Sequence, residues 1–479
     1  MNTKKFSFIA ICAAAFLTGC GSEIPNGSLD AFNAMPTKEE IYDEQDRIMV
    51  KKDFLPLQHP CMLHTTADIA RVRQNIGVAP WSDAFAHLEQ SQYAQSGYTD
   101  NTHLLGADGK LKRMDANNWS GTYPDYNNYT GAMRDAAAAY QLALRYQISG
   151  DTQYAQTAVN VLNAWKDKCT GVLKLPGYND SIPDPNIYLI MIQGHQFANA
   201  AELLRNYDGW QADDFKGFQK WMKTTFLDIA LQFLRNHQGG QGTMHAWLNW
   251  DLAAMTTVLS VGILNDDNLM INWAISYFKN EDELFAEVGN IKNAVPFIHQ
   301  DPDSSEELGQ CEESGRDQGH ATLCASLMGA FCQMALNVGE DLFAYDDYRA
   351  LKMAEYVAKY NLIKDESWNN STNTSSSSLT ESDFVVVRTE MPYTAYTNPS
   401  WSNPEISSAD DTSRGSKRPC WEVFYNYAKE KGVSAIYCKK WAEQMRQFNS
   451  FGSDGGAGDY GPNSGGFDQL GYGTLMFAR

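Results

Sequence analysis

Positive charge is scarce in this chain. Its 479 residues carry a formal net charge of −20. So acidic a chain has no basic surface with which to displace counterions from a phosphate backbone, which excludes nucleic acid as a partner. An anionic ligand is not excluded, because basic side chains gathered in one cleft act locally whatever the total. Long apolar runs are missing too, since no stretch reaches the ~20 residues that cross a bilayer. A strict internal repeat is also absent, as is any Cys and His spacing of a metal motif. No metal or other cofactor is expected.

The amino terminus carries what export requires. Lys4 and Lys5 precede an apolar run from Phe6 to Phe16, followed by Leu17-Thr18-Gly19-Cys20. This reads as a signal peptide whose removal makes the chain more acidic still. Its end resembles the bacterial lipoprotein box, which implies loss of residues 1–19, lipidation of Cys20, and a periplasmic or outer-membrane location in which the lipid alone touches the membrane. Residues 20–51 are polar and mixed in charge, as a tether is, and residues 52–479 are expected to form a single domain. The remaining cysteines are Cys61, Cys169, Cys311, Cys324, Cys332, Cys420 and Cys438. Their odd number and spacing match no disulfide framework, although one or two bridges suit an exported chain. Cys324 and Cys332 read as small buried hydrophobes.

From about Leu63 helix follows helix. Thr65 to Asn75 opens on cap-forming residues. Gly131 to Ser149 is Ala-rich with apolar residues at helical spacing, Gly150-Asp151 breaks it, and Gln153 to Lys166 resumes the pattern. The hairpin recurs as Ile187 to Asn206 with Asp213 to Asn236, Trp247 to Leu264 with Asn268 to Phe278, and His320 to Val338 with Tyr345 to Tyr360. The fold class is therefore all-α, built of antiparallel hairpins that stack as a solenoid or close as a toroid. Asn369 to Thr380 is a Ser-rich loop, Asp383 to Arg388 reads as a short strand, and Pro392 to Thr397 as an extended loop. The Gly-rich stretch from Gly452 to Gly473 is expected to fold irregularly over the helices.

Chemistry concentrates in Gln310 to His320 (QCEESGRDQGH), where two adjacent acids, a guanidinium, a third acid and an imidazole directly precede the apolar Ala321 to Leu336. Such a segment reads as the polar mouth of a buried helix rather than a solvated face. A helix through it would bring Glu313, Arg316 and His320 together at i, i+3 and i+7. An ion-paired helix start is the plainer reading, but His and Arg at such a mouth are the groups a cleft uses. A second mouth, Met244 to Leu252 (MHAWLNWDL), follows the loop Gly239 to Gly242 and would put His245 and Asn249 on one face. His195 opens a third apolar helix, either as a satisfied core histidine or as part of the cleft. The aromatic loop Tyr123 to Tyr129, with Tyr126 and Asn127, suits sugar stacking or simply covers helix ends.

The Asn249-Trp250 helix, the run ending at His320, Pro392-Tyr393-Thr394, and Arg414-Gly415 with Arg418-Pro419-Cys420-Trp421-Glu422 resemble the alginate lyase superfamily. The resemblance runs from about Cys61 to the end of the chain and is nearest to polysaccharide lyase family 38. It implies an (α/α) toroid or incomplete barrel with few short strands. It also implies metal-independent β-elimination of a 4-linked uronic-acid polysaccharide such as alginate, polymannuronate or glucuronan. On this resemblance Asn249 and Glu313 recognise the sugar carboxylate, Glu313 acting either protonated or by orienting Arg316 or His320. His320 is the general base and Tyr393 the general acid, with Tyr396, Tyr460, Tyr129 and Tyr126 as rivals. Arg316, Arg388, Arg414 and Arg418 supply positive field, and His245, Trp421, Tyr126, Asn127 and His195 are further substrate contacts. One departure stands out: other branches carry a His directly after the site Asn, where this chain has Trp250, so the imidazole must come from His320 or His245. Two alternatives remain. A glycoside hydrolase would use a pair among Asp251, Glu312, Glu313 and Asp317, and a non-catalytic glycan-binding lipoprotein would need aromatic platforms more than the Arg and His of the 310–320 run.

Overall fold

The computed structural model describes residues 51–113, 128–173, 190–236, 247–280, 289–370, 379–398, 401–408, 411–446 and 467–479. Helix α1 (Thr66–Asn75) starts on a capping box, in which Thr65 Oγ1 accepts from Asp68 N while the Asp68 carboxylate accepts from Thr65 N. Helix α2 (Trp81–Gln90) follows. Helix α3 (Tyr129–Ser149) ends at Gly150, whose φ of +76° is the left-handed conformation that glycine takes without strain. Asp151 then caps α4 (Thr152–Lys168) by accepting from Gln153 N at 3.0 Å. Next come α5 (Met191–Leu204), α6 (Ala212–Met222), a π-helical turn (Lys223–Leu227) and α7 (Asp228–Asn236). Among the described residues the remaining α-helices longer than one turn are α8 (Leu248–Leu264), α9 (Asn268–Lys279), α10 (Gln318–Asn337), α11 (Tyr345–Asn361), α12 (Trp421–Lys431), α13 (Ile436–Arg446) and α14 (Gly473–Phe477), with a single turn at Ile291–Ala294 between α9 and α10.

The order of packing closes a ring. Helix α3 lies on α5, α5 on α8, α8 on α10, α10 on α12 and α12 on α14; α14 packs on α1 and α2, and these return to α3. Around this inner set, α4 covers α3 and α5, α9 covers α8, α11 covers α10, and α13 covers α11 and α12. Helices α5, α8 and α10 are buried nearly all round, as inner members must be, whereas α4 and α6 keep an exposed face. The seam is pinned by Arg71, whose Nη2 donates to Met476 O, and by Arg479, whose Nη2 donates to Asp68 Oδ1 at 3.2 Å. The hairpins thus form the (α/α) toroid and not an open solenoid. Because each inner helix returns through an outer one, α8 and α10 start at the same end of the ring.

Strands are few and short. β1 (Lys110–Leu111) pairs in parallel with β2 (Gly171–Val172), β3 (Phe297–Gln300) antiparallel with β4 (Glu307–Gln310), and β5 (Tyr396–Asn398) antiparallel with β6 (Trp401–Asn403). The strand expected at Asp383 to Arg388 does not form. Instead 3-10 turns cover Glu381–Asp383 and Arg388–Glu390, and the extended residues between them make a single antiparallel bridge, Phe384 with Ile363, in which Val385 N donates to Leu362 O, while Val386 O accepts from Arg414. The expected loop Pro392 to Thr397 runs into β5, and the carboxy-terminal stretch adds the short α14. Seven cysteines, Cys61 to Cys438, are buried free thiols, so the one or two bridges that an exported chain allows are not present among them. The leader with Cys20, the tether to residue 50, Gly239 to Gly242, His245, Tyr126, Asn127 and Tyr460 lie outside the described residues.

His195 is a core residue. It is buried on α5 and borders a small cavity of ≈ 20 Å³ between the inner helices with Tyr140, Ser326 and Gln469, room for about one water. Burial pulls its imidazole down to about 4, and burial likewise pulls His64 down to about 4. Unfolded, both titrate near 6.5. Between pH 6.5 and 4 the unfolded chain therefore binds protons that the folded chain refuses, and stability falls on acidification by roughly 3 kcal/mol for each group. Thermal unfolding across that window should show this loss, with a shallower slope in His195→Gln; an unchanged slope would remove His195 from the account.

Candidate active site

Two helix mouths meet here. Helix α8 begins after Trp247 and α10 after Asp317, and the 3-10 turn Glu312–Gly315 leading out of β4 packs against α10. The expected continuous helix through Gln310 to His320 is broken because Asp317 is extended, at φ −164° and ψ 161°. Helical spacing survives on either side of the break and produces two pairs, joined where Arg316 Nε lies 3.7 Å from Asp317 Oδ2.

The first pair is built on Glu313, which is fully buried. Its Oε1 accepts from Asn249 N at 2.6 Å, from Asn249 Nδ2 at 2.7 Å and from the Cys324 thiol at 3.2 Å, and its Oε2 accepts from Arg316 Nη1 at 3.0 Å. Glu312 Oε2 lies 3.5 Å from Leu248 N. The two acids thus do for α8 what a local cap does, satisfying first-turn N–H groups that have no intrahelical acceptor. Burial, and after it the charge of Glu313, pushes the Glu312 carboxyl well above its ordinary value. Arg316 lies over the indole of Trp247, 4.8 Å from the ring centroid, and keeps 26% exposure. Glu313 therefore orients Arg316 and Asn249, not His320.

The second pair is Asp317 with His320. Asp317 Oδ1 accepts from His320 N at 2.9 Å, capping α10, and Oδ2 lies 2.6 Å from His320 Nδ1. That contact assigns the proton to Nδ1 and leaves Nε2, which makes no hydrogen bond with a described residue, as a base. Burial would raise the Asp317 carboxyl, but the bonds and charge of His320, with Arg316 behind them, hold it below its ordinary value. Arg418 braces this turn from behind, donating from Nη2 to Gly319 O at 3.2 Å and from Nε to Thr322 Oγ1 at 3.3 Å, and pairing with Asp468.

Tyr393 approaches from the loop before β5. Its hydroxyl donates to Asn403 O at 2.9 Å and lies against Gly315, where an added Cβ would stand 2.4 Å from the Tyr393 oxygen and 2.5 Å from Asn403 Cβ. Only glycine admits the phenol there. Burial, and after it Glu312, pushes the phenol well above its ordinary value, so it stays protonated.

Other expected contacts lie elsewhere. Arg414 is fully buried between the rings of Tyr360 and Phe384, 3.8 and 4.0 Å from their centroids, and its nitrogens donate to Tyr360 O, Glu381 and Val386 O. Trp421 is buried and stacks on Trp441 at 5.5 Å. Arg388 pairs with Glu405. Of the rival tyrosines, Tyr129 lies under Arg113, and the Tyr396 ring meets Phe297 edge-on. From the sequence Trp247 has no role, Cys324 only that of a buried hydrophobe and Asp317 only that of a candidate hydrolase acid, although Asp317-x-x-His320 carries the i, i+3 signal.

A sequence model of the alginate lyase family matches residues 82–368, a span that contains both helix mouths. The chain belongs to the alginate lyase family. It is a polysaccharide lyase. Its fold is similar to that of alginate lyase A1-III from Sphingomonas species A1, with a TM-score of 0.50 and 15% identity over 91% of this chain and 99% of that one. An alginate lyase from Bacteroides ovatus superposes less fully, at TM-score 0.41 and 16% identity over 62% of this chain and 83% of that one. No curated protein matches the sequence.

Proposed function

We propose that this lyase cleaves alginate or a related 4-linked uronan by β-elimination, with His320 as base and Tyr393 as acid. The observation that carries the reading is the His320 imidazole, held at Nδ1 by Asp317 with Nε2 free. The C5 proton of a uronic acid is weakly acidic while the neighbouring carboxylate is ionised, so that charge must be met first. Arg316, cationic and part-exposed, and the Asn249 amide proton not given to Glu313 donate to it. The first turns of α8 and α10 add positive potential where enolate-like charge develops. His320 Nε2 then takes the C5 proton, the C5–H electron pair becomes the C4=C5 bond, and the C4–O4 bond breaks as Tyr393 exchanges its bond to Asn403 O for one to O4. The assignment to family 38 rests on the motifs alone.

Mannuronate and glucuronate require syn elimination and guluronate anti, so substrate preference reports on which faces of the sugar the base and acid occupy. The test is ultraviolet absorbance on incubation with poly-mannuronate, poly-guluronate, glucuronan and a neutral glucan. A rise from the conjugated double bond on a uronan alone is expected. New reducing ends without that rise would favour hydrolysis and sink the elimination.

A further inference from the structure

We propose that His59, Cys61 and Glu202 form a binding site for one zinc-class divalent cation, separate from the elimination site. Cys61 Sγ lies 3.7 Å from His59 Nδ1 and 3.8 Å from Glu202 Oε1, and His59 Nδ1 lies 2.6 Å from Glu202 Oε1. A tetrahedral zinc with its bonds of about 2.0–2.3 Å holds its ligand atoms roughly 3.3–3.6 Å apart. The two sulfur edges of the triangle, 3.7 and 3.8 Å, lie just above that range, and the third is drawn in by a hydrogen bond that an ion would replace.

A second observation points the same way. His59 Nε2 lies 2.8 Å from Asp266 Oδ1, in the turn between α8 and α9. As the residues stand, Nδ1 shares a proton with Glu202 Oε1; with an ion in that place, the carboxylate behind the imidazole holds the remaining proton on Nε2 and leaves the Nδ1 lone pair for the ion, the arrangement that supports metal-binding histidines. Arg205 occupies the other oxygen of Glu202, at 3.3 Å, and lies 3.5 Å from Asp266, while Oε1 accepts from Cys61 N at 3.0 Å and would give the ion the lone pair it now turns to His59. Charges then close: a Cys61 thiolate and Glu202 balance the dication, and Arg205 balances Asp266. Coordination releases the thiol proton and the His59 Nδ1 proton to solvent. Cys61 and Glu202 are buried while His59 keeps 12% side-chain exposure, which leaves an open side for a water as fourth ligand. Thiolate with imidazole selects zinc over magnesium or calcium. The ion would join the segment before α1, the end of α5 and the α8–α9 turn.

The full chain, stripped with chelator, should give a thiolate-to-cobalt charge-transfer band with one equivalent of Co²⁺, and Zn²⁺ should displace it. Zinc at 100 times its dissociation constant should raise the unfolding temperature by roughly 3–5 °C. Cys61→Ser should abolish both signals. Asp266→Asn, at a part-exposed carboxylate that does not touch the ion, should weaken zinc binding about 10–100-fold and serves if Cys61→Ser does not fold. No band in the unaltered chain, a band that survives Cys61→Ser, or unchanged affinity in Asp266→Asn would overturn the site.

Discussion

His320→Ala should still hold the polymer but lower kcat about 10²–10⁴-fold, the range for losing a general base. KM should move far less, because the groups proposed to meet the substrate carboxylate, Arg316 and Asn249, are fixed by Glu313 and not by His320. His320→Gln should fall as far, since an amide keeps the bulk and cannot take the C5 proton. The backbone N–H of residue 320 still reaches Asp317 in either variant, so α10 keeps its cap and the far-ultraviolet dichroism should not change. Single-turnover rates on poly-mannuronate decide the matter. Losses under tenfold in both variants would move the base elsewhere, Tyr393 first among the alternatives.

Glu313→Ala should damage stability and turnover together. Four donors lose one acceptor, and Asn249 N and the Cys324 thiol among them are sealed from water. Breaking a buried pair from one side costs about 3–5 kcal/mol. Loss of the carboxylate that fixes Asn249 and Arg316 should also lower kcat/KM by roughly 10²–10³-fold, as removal of a preorganised donor does. Glu312→Gln is the matched control: burial already disfavours the charged form of that carboxyl, so an amide of the same shape should cost little stability near pH 7. Equal losses from the two substitutions in denaturant unfolding would mean that the two acids share the load and that Glu313 is not the one that holds the site.

The hairpins were legible because inner helices are buried on most sides and therefore leave long apolar runs, and because the breaks use residues with one meaning. Gly150 stops α3 in the left-handed region and Asp151 restarts the chain as a cap. Most of the site was legible as a set of residues and not as a shape. Glu313, Arg316 and His320 read as one helical face, yet the extended Asp317 splits them into Glu313 with Arg316 and Asp317 with His320. Arg414 and Trp421 belong to the motif that carries the resemblance, and a motif does not say whether a residue touches the ligand or holds the wall. Here Arg414 is spent on two carbonyls and Glu381 between two aromatic rings. The run Asp383 to Arg388 alternates as a strand does because Phe384 and Val386 point into the core, but its pairing stops at one bridge to Ile363 and an arginine takes over where a neighbouring strand would continue.

The ring has a seam, and the seam has a timetable. Within each hairpin, partners are near in sequence and find one another early, whereas the contacts closing α14 against α1 join residues 405 and 411 positions apart. Closing so long a loop costs entropy that no local contact offsets in advance, and contacts of such separation set the slow end of folding. Refolding should therefore populate an open crescent of hairpins first, with the mouths of α8 and α10 already side by side, and the two ends of the described chain should meet last.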